Sequence, residues 1–299
     1  MSLTVDGLVT TGWLKANSAD PHLRIIDGTW FRPDETSKPQ ALFVQEHIPG
    51  AIWFDIDTIS DRASAFPNML PAADEFAEQV AALGINDRSA IVIYDRGAYA
   101  AARVWWMFRV FGYDNVAVLD GGIEKWKADG GAVAAGNPTP LRAVGGFTAR
   151  KKSHLVRTID EVKASLGNGD VQIVDARQPE HFAMSLPEVR SGVSPGTIPG
   201  SVNIFYARVL NATDRTFLPA GDIESIFRSA RIDLEKPIVL SCGAGISACT
   251  LALALYTTGR DVPVYDGSWA EWGRDPTNPG VRRTFAVTPK CSDIDGQPS

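Results

Sequence analysis

The sequence predicts an α/β fold in which one domain occurs twice in tandem, each copy being a parallel sheet flanked by helices. Three observations support this prediction: an internal repeat, a strand–helix–strand pattern in each half, and a composition suited to two ordinary domains. The chain has 299 residues, of which 44% are hydrophobic and 21% are charged. Such a balance is typical of a globular protein rather than a disordered one, and the length suits one large domain or two smaller ones.

The internal repeat comes first because it determines the number of domains. Four short segments recur in the same order: residues 25–27, 47–51, 91–95 and 120–126 match residues 173–175, 197–201, 238–242 and 266–272. The separation stays close to 147 residues throughout. A period of that length corresponds to a whole domain and is far too long for the unit of a solenoid.

Each half then shows one β-branched run, a glycine-containing turn, a helical pattern that ends at a glycine, and a second apolar run. These segments are residues 91–93, 99–111 and 116–119 in the first half, and 238–240, 246–258 and 262–265 in the second. A strand, a helix and a strand within about 25 residues form a βαβ unit, which requires parallel strands with the helix on one face.

Glycines and prolines between residues 136 and 152 interrupt regular structure and mark the boundary between the halves. We therefore predict an N-terminal domain over residues 1–140, a linker over 141–152, and a catalytic C-terminal domain over 153–287. The polar residues 288–299 are predicted to form a flexible tail.

Charge and cysteine content exclude several classes of function. A net charge of −6 argues against electrostatic binding to nucleic acid or to anionic membranes. The chain shows neither a signal peptide pattern nor an apolar run long enough to span a membrane, so we expect a cytoplasmic protein. Its three cysteines have neither a disulfide framework nor paired zinc-ligand spacing, so no metal or organic cofactor is expected.

One position differs in chemistry between the repeats. Open parallel sheets place their sites beyond the carboxyl ends of the strands. In the first half this position is Asp95, and in the second half it is Cys242. The duplication therefore indicates Cys242 as a nucleophile that only one copy retains, although a lone cysteine is more commonly a small buried apolar residue.

The residues after Cys242 fit a nucleophilic role. Gly243, Ala244, Gly245 and Ile246 are small or apolar, so the backbone can curl tightly and turn its N–H groups towards the sulfur. A helix that begins near Ile246 would add the positive end of its dipole, and both effects favour a thiolate. This loop is the predicted cradle for a persulfide or another anion.

The other two cysteines are predicted to be bystanders. Cys249 lies inside the helical pattern and is expected to pack there, and Cys291 lies in the predicted tail. A redox pair between Cys242 and Cys249 remains an alternative, although it lacks the two-residue spacing of a redox motif.

The chain resembles the tandem-domain rhodanese family of thiosulfate and 3-mercaptopyruvate sulfurtransferases over nearly its whole length. Residues 43–54 fit the family's N-terminal motif, and residues 262–272, which include Asp266 and Trp272, fit its C-terminal motif. Residues 103–107 and 54–57 are similar to further family segments. The resemblance implies two rhodanese-like domains, of which the first is inactive and the second has the catalytic cysteine.

The sequence of the loop after Cys242 is more similar to the 3-mercaptopyruvate type of the family than to the thiosulfate type. Gly243 and Ala244 stand where thiosulfate-preferring members have Arg and Lys. In the mercaptopyruvate type, two arginines before the Ile-Pro-Gly turn bind the substrate. The second of these arginines corresponds to Arg190. The first corresponds to His181, so the chain departs from the family pattern at that position. Arginine offers a bidentate fork for a carboxylate that neutral histidine lacks. We expect Arg177, in contrast, to make a structural salt bridge with Asp175 or a neighbouring residue.

Further departures from the family pattern concern a proposed relay of a hydroxyl, an imidazole and a carboxylate group. The family's serine two residues after the cysteine is Ala244 here, and an N-terminal-domain histidine corresponds to Asn68, whereas the acidic partner is retained as Asp57. Ser247, where the family usually has threonine, keeps one hydroxyl near the sulfur, or caps the helix, or does both.

The resemblance implies an enzyme that moves sulfur from 3-mercaptopyruvate through a Cys242 persulfide to a small thiol, a thioredoxin-like protein or cyanide, releasing pyruvate. A thiosulfate-preferring enzyme and a slow sulfur-carrier or regulatory module are the alternatives. A phosphatase of this fold is disfavoured, because no basic residue occurs between Cys242 and Arg260 to hold phosphate.

Overall fold

The computed structural model describes residues 3–32, 35–97, 99–137, 145–167, 169–188 and 190–281. Its first half contains β1 (Gly7–Val9), α1 (Thr11–Asn17), β2 (Leu23–Asp27), α2 (Pro39–Gln45), β3 (Ile52–Trp53), α3 (Ala73–Ala82), β4 (Ala90–Tyr94), α4 (Ala101–Val110), β5 (Val116–Leu119) and α5 (Gly122–Ala128). Its second half contains β6 (Val156–Arg157), α6 (Ile159–Ser165), β7 (Gln172–Asp175), α7 (Pro179–Phe182), β8 (Val202–Asn203), α8 (Ala220–Ser229), β9 (Ile238–Ser241), α9 (Ala248–Thr257), β10 (Val264–Tyr265) and α10 (Ser268–Trp272).

The two halves share one topology. The first sheet has the order β1-β5-β4-β2-β3 and the second has the equivalent order β6-β10-β9-β7-β8. Every pair of neighbouring strands in both sheets is parallel. The prediction of two tandem parallel-sheet domains is therefore confirmed.

The predicted elements agree with the structure in type and differ at their ends. Strand β5 has the predicted bounds, whereas β10 is confined to Val264–Tyr265. Helix α9 begins at Ala248, two residues after the predicted start at Ile246, because the cysteine loop continues as a turn as far as Ser247. Much of the predicted linker and the whole of the predicted tail, including Cys291, lie outside the described residues.

The two central helices α4 and α9 pack against each other and form the interface between the domains. All ten residues of α4 are buried, and so are the first eight residues of α9. One apolar cluster therefore runs through both domains, with a smaller cluster on the outer face of each sheet. Because burial of this apolar surface drives folding, neither domain has a complete core without the other.

Matching hydrogen bonds cross the interface in both directions. The backbone N–H of Phe217 donates to Asp120 over 2.8 Å, and the backbone N–H of Leu70 donates to Asp266 over 2.8 Å. Asp120 and Asp266 occupy equivalent positions in the repeat, as do Leu70 and Phe217. The domains thus contact each other with nearly twofold symmetry, which places the two strand-end loops close to the partner domain.

The charged residues that interrupt the apolar sequence of α4 also cross this interface. Arg109 donates to both carboxylate oxygens of Asp261 over 3.0 and 2.8 Å, and its guanidinium lies 4.1 Å from the ring centre of Tyr256.

Within the described residues, no helix is both long and apolar enough to cross a membrane.

Candidate active site

A cavity of about 500 Å³ lies between the domains, with Cys242 in its wall. The N-terminal domain contributes the segment from Trp30 to Arg32 together with Glu35, Gly97 and Tyr99. The C-terminal domain contributes three groups of residues: the loops around Arg177, His181 and Arg190, the pair Tyr206 and Arg215, and the whole cysteine loop except Gly245. The site is thus built from both halves of the chain, although only one half supplies the cysteine.

Cys242 follows β9 directly and is 1% exposed. Its backbone N–H donates to the Ser268 hydroxyl over 3.1 Å, and its carbonyl accepts from the N–H of Trp269 over 3.1 Å. The carbonyl of Gly243 accepts from the N–H of Ala270 over 2.8 Å. The first turn of α10 therefore holds the start of the cysteine loop in place.

The N–H groups of residues 243–248 are available for an anion. Within the described part of the chain, none of them donates to a carbonyl or to a side chain. Gly245 adopts φ = +72°, and a Cβ there would lie 2.6 Å from the carbonyl oxygen of Asp266. Glycine is thus required both for the backbone conformation and for the close contact. Successive free N–H groups in a tight turn at a helix start form an anion-binding concavity.

The equivalent loop of the first domain binds a carboxylate that belongs to the chain itself. Asp95 occupies the position equivalent to Cys242, and its carboxylate accepts three backbone hydrogen bonds. The donors are the N–H groups of Tyr99 (3.0 Å), Ala100 (2.6 Å) and Ala101 (2.8 Å). The equivalent N–H groups in the second domain belong to residues 246–248. The repeat therefore contains a carboxylate where the second domain places its sulfur.

Arg190, the predicted carboxylate ligand, lies beside the cysteine loop. A Cβ on Gly243 would be 2.4 Å from an Arg190 guanidinium nitrogen, so a larger residue there would push the guanidinium aside. Glu188 accepts from the Arg190 guanidinium over 2.8 Å, and the arginine side chain remains 22% exposed. Arg177 makes the predicted pair with Asp175 over 2.7 Å, which is confirmed.

His181 also lines the cavity, near Arg190. Partial burial lowers the pKa of His181, and the charges of Arg32 and other nearby arginines lower it further. A lowered pKa keeps the imidazole neutral at pH 7, since the ordinary value is already about 6.5. His181 therefore lies where a second substrate ligand was predicted, without supplying the charge of the arginine that it replaces.

Asp57 and Asn68 lie together but apart from the cavity lining. One carboxylate oxygen of Asp57 accepts from the side-chain amide of Asn68 and from the indole N–H of Trp30, both over 2.8 Å. Neither residue lines the cavity that contains Cys242. Asp57 thus positions Trp30, which does line the cavity, and the structure gives Asn68 a supporting place rather than a contact with substrate.

Arg103 is the residue that sequence reasoning missed. It lies on α4, is fully buried, and donates to Asp266 over 2.7 Å, to the carbonyl of Gly245 over 3.2 Å and to the carbonyl of Asn68. The N-terminal domain thereby fixes the cysteine loop of the other domain. A charge inside an otherwise apolar helical pattern is the signal that identifies such a residue, because a buried charge requires a specific partner.

The remaining predicted residues have simpler surroundings. Ser247 lines the cavity and precedes α9, but its side chain makes no capping hydrogen bond. Ser247 therefore occupies the N-cap position of α9 without using its hydroxyl for a capping hydrogen bond. Cys249 is buried on α9 and donates from its thiol to the carbonyl of Gly245 over 3.2 Å. Burial raises the pKa of the Cys249 thiol, which keeps it protonated.

No set of three His, Cys, Asp or Glu side chains suited to holding a metal occurs in the described ranges. The site itself brings together a buried cysteine, a loop whose N–H groups can bind an anion, and an arginine beside that loop.

Comparison with known proteins agrees with this geometry. The family model of the Rhodanese-like domain matches twice, over residues 10–129 and 158–275. The chain is 40% identical to human 3-mercaptopyruvate sulfurtransferase, covering 89% of this chain and 91% of that protein. It is also 40% identical to the mitochondrial thiosulfate/3-mercaptopyruvate sulfurtransferase 1 of Arabidopsis thaliana, covering 92% and 78%.

A solved structure gives the same result. The crystal structure of the 3-mercaptopyruvate sulfotransferase SseA from Escherichia coli matches with a TM-score of 0.79 and 32% identity, covering 89% of this chain and 99% of that one. The paired domains, the parallel sheets and the sequence similarity lead to one conclusion: the chain belongs to the tandem-domain rhodanese family of sulfurtransferases.

Proposed function

We propose that the protein takes sulfur from 3-mercaptopyruvate onto Cys242 as a persulfide, releases pyruvate, and passes the sulfur to a thiol or to cyanide. The observation that carries this proposal is the cysteine loop, in which the N–H groups equivalent to those that bind the Asp95 carboxylate make no hydrogen bond to any described residue. A site that binds a carboxylate in one copy suits an anionic sulfur species in the other, because both need several aligned donors.

The first half-reaction follows from this arrangement. The Cys242 thiolate attacks the sulfur of 3-mercaptopyruvate, a sulfur–sulfur bond forms, and the carbon–sulfur bond breaks. The electron pair of that bond moves onto carbon and gives the enolate of pyruvate, which takes up a proton. The N–H groups of residues 243–248 stabilise the negative charge on sulfur throughout this step.

Arg190 orients the donor. Its guanidinium lies against Gly243, next to the nucleophile, and can hold the carboxylate of a small α-keto acid in a bidentate manner. Glu188 already binds one of its nitrogens, which limits the positive charge that a donor meets. A neutral cysteine loop together with one partly neutralised arginine favours a monoanionic donor over a dianion.

Thiosulfate is the second candidate donor. The Arabidopsis relative is named for both thiosulfate and 3-mercaptopyruvate, and the sequence of the cysteine loop lacks the arginine and lysine of thiosulfate-preferring members. A slow sulfur carrier remains a third reading, which predicts a stable persulfide with negligible turnover. The cytoplasmic location also stays a prediction.

The test combines a donor panel with intact-mass measurement. Incubation with 3-mercaptopyruvate is expected to add one sulfur atom to the wild type and to Cys249→Ala, and none to Cys242→Ala. Cys249→Ala is the matched control, because Cys249 is the other cysteine of the described core. Sulfur addition to Cys242→Ala would refute the proposal, and faster turnover with thiosulfate than with 3-mercaptopyruvate would establish the second candidate.

Arg190 is tested separately by steady-state kinetics. Arg190→Ala should raise KM for 3-mercaptopyruvate at least tenfold, since a partly buried charged hydrogen bond is worth about 1.5 to 3 kcal/mol. An unchanged KM would remove Arg190 from the donor site while leaving the persulfide chemistry intact.

A further inference from the structure

Arg215 combines three features that set it apart from the other cavity residues. It follows the 3-10 turn of residues Tyr206–Val209, lines the Cys242 cavity, and adopts φ = +62°. Hydrogen bonds from the backbone and the hydroxyl of Thr216 to Asp214 hold this turn, over 3.1 and 2.7 Å. The left-handed region disfavours every residue with a side chain except in special settings, so glycine would be the better residue for backbone stability alone.

Arg215 is also the one cavity arginine without a carboxylate partner among the described residues. Arg32 pairs with Glu35 at 3.8 Å, while Arg177 and Arg190 have the partners given above. No described carboxylate lies within ion-pair distance of Arg215, and its guanidinium makes no hydrogen bond there. The cavity wall thus has one positive charge that no described side chain neutralises.

Its position differs from that of Arg190. Arg215 is exposed, whereas Arg190 is only 22% exposed and contacts the cysteine loop. Arg215 shares the cavity lining with Tyr206, a half-buried residue whose ring lies 5.4 Å from that of Tyr99. Among the arginines of the cavity lining, Arg215 is therefore the exposed one, whereas Arg190 lies against the cysteine loop.

We propose that Arg215 binds a carboxylate of the sulfur acceptor and that it selects small thiols bearing a negative charge. This inference rests on the proposed function. The donor has one carboxylate, which Arg190 binds beside Cys242. A cavity of about 500 Å³ is much larger than a three-carbon acid requires, so a longer ligand fits with its thiol at Cys242 and its charge at Arg215.

The reaction at stake is the second half-reaction. The thiolate of the acceptor attacks the outer sulfur of the Cys242 persulfide and forms a new sulfur–sulfur bond. The bond between the two sulfurs of the persulfide breaks, and its electron pair returns to Cys242 as the thiolate. Arg215 takes no part in bond making and acts by positioning the acceptor.

The experiment isolates this step. The persulfide is formed with 3-mercaptopyruvate, excess donor is removed, and sulfur loss is followed by intact mass after addition of one of three small thiols. Mercaptohexanoate is anionic, mercaptohexanol is neutral and aminohexanethiol is cationic. All three are longer than the donor, so that their charged end can lie away from Arg190, and each rate is normalised to the thiolate present. The wild type should prefer mercaptohexanoate, and Arg215→Gly should lower that preference about 3- to 5-fold, as expected for a partly exposed ion pair.

The matched control is Arg231→Gly. Arg231 also adopts φ = +62° and is exposed, but it lies after α8 and away from the cavity lining. Both glycine variants relieve the same backbone strain, so both should melt at or above the temperature of the wild type, and only Arg215→Gly should change acceptor preference. Arg215→Gln, which keeps the length of the side chain, should reproduce the loss of preference.

The outcomes are separable. A persulfide that forms normally, together with the same acceptor preference in wild type, Arg215→Gly and Arg215→Gln, overturns the role of Arg215 alone. Loss of thermal stability in Arg215→Gly without any kinetic change assigns Arg215 a structural role and also overturns the proposal. If the wild type gains no sulfur from any donor, the proposed function itself fails.

Discussion

The equivalence of Asp95 and Cys242 makes a quantitative prediction about the cysteine loop. Cys242→Asp places a carboxylate at a position that is 1% exposed. If the loop were an ordinary buried turn, this substitution would be strongly destabilising, because an unpaired buried charge costs several kcal/mol. If the loop binds anions, the three N–H groups equivalent to those around Asp95 will bind the new carboxylate instead.

The sign of the effect follows from the size of the opposing contributions. In the first domain the Asp95 carboxylate accepts bonds of 3.0, 2.6 and 2.8 Å. Hydrogen bonds to charged groups stabilise by about 1.5 to 3 kcal/mol each, and the start of a helix adds up to about 1 kcal/mol. These contributions exceed a desolvation cost of several kcal/mol by a small margin. We expect Cys242→Asp to be more stable than the neutral Cys242→Asn by about 1 to 3 kcal/mol at pH 7.

Urea unfolding of the two variants at several pH values measures this difference. The carboxylate bound in the folded state contributes stability above the pH at which it ionises in the unfolded chain, about 3.9. The advantage of Cys242→Asp over Cys242→Asn should therefore be constant near neutrality and disappear as the pH falls below about 4. If Cys242→Asp is instead less stable than Cys242→Asn at pH 7, the cysteine loop does not bind anions, and the persulfide argument loses its main support.

Three further predictions concern the surroundings of the cysteine. Arg103→Met should destabilise the protein by about 3 to 5 kcal/mol in urea unfolding, because it leaves Asp266 buried without its cation. A change below about 1 kcal/mol, the size expected for an exposed ion pair, would contradict this prediction. His181→Arg should lower KM for 3-mercaptopyruvate severalfold. Since the wild-type histidine gains its charge only below its lowered pKa, its KM should also fall as the pH is decreased towards 5, while that of His181→Arg stays level. Gly243→Ala should displace the guanidinium of Arg190 and raise KM more than it lowers kcat. Equal effects on both constants would instead indicate that the substitution disturbs the reaction at Cys242 and not only the binding of the donor.

The sequence allowed the domain count, the strand types and the placing of Cys242 at the end of a strand to be predicted, because these depend on local patterns. Strand β4 and strand β9 are β-branched runs, and a repeat shows where two such runs are equivalent. The comparison of Asp95 with Cys242 needed nothing beyond that equivalence. The ends of α9 were less accurate, since the turn after Cys242 contains residues that fit a helix as well as a loop.

The surroundings of the site could not be predicted in the same way, because they depend on contacts between residues far apart in the chain. Arg103 and Gly245 are 142 residues apart, and Arg103 and Asp266 are 163 residues apart. Spacing within a single helix contains no information about either partner. For the same reason, the sequence could match Asn68 to a family histidine but could not show that the Asn68 carbonyl accepts a hydrogen bond from Arg103.

These contacts explain why a domain without a nucleophile stays part of the protein. Arg103, from the N-terminal domain, donates to the carbonyl of Gly245 in the middle of the cysteine loop. A carbonyl fixed in this direction turns the N–H of Ile246 to the opposite side, because the two groups belong to one rigid, planar peptide unit. The anion-binding surface around Cys242 therefore depends on a side chain from the other domain. The N-terminal domain, which has Asp95 where the other domain has Cys242, is in this way a structural part of the cysteine site.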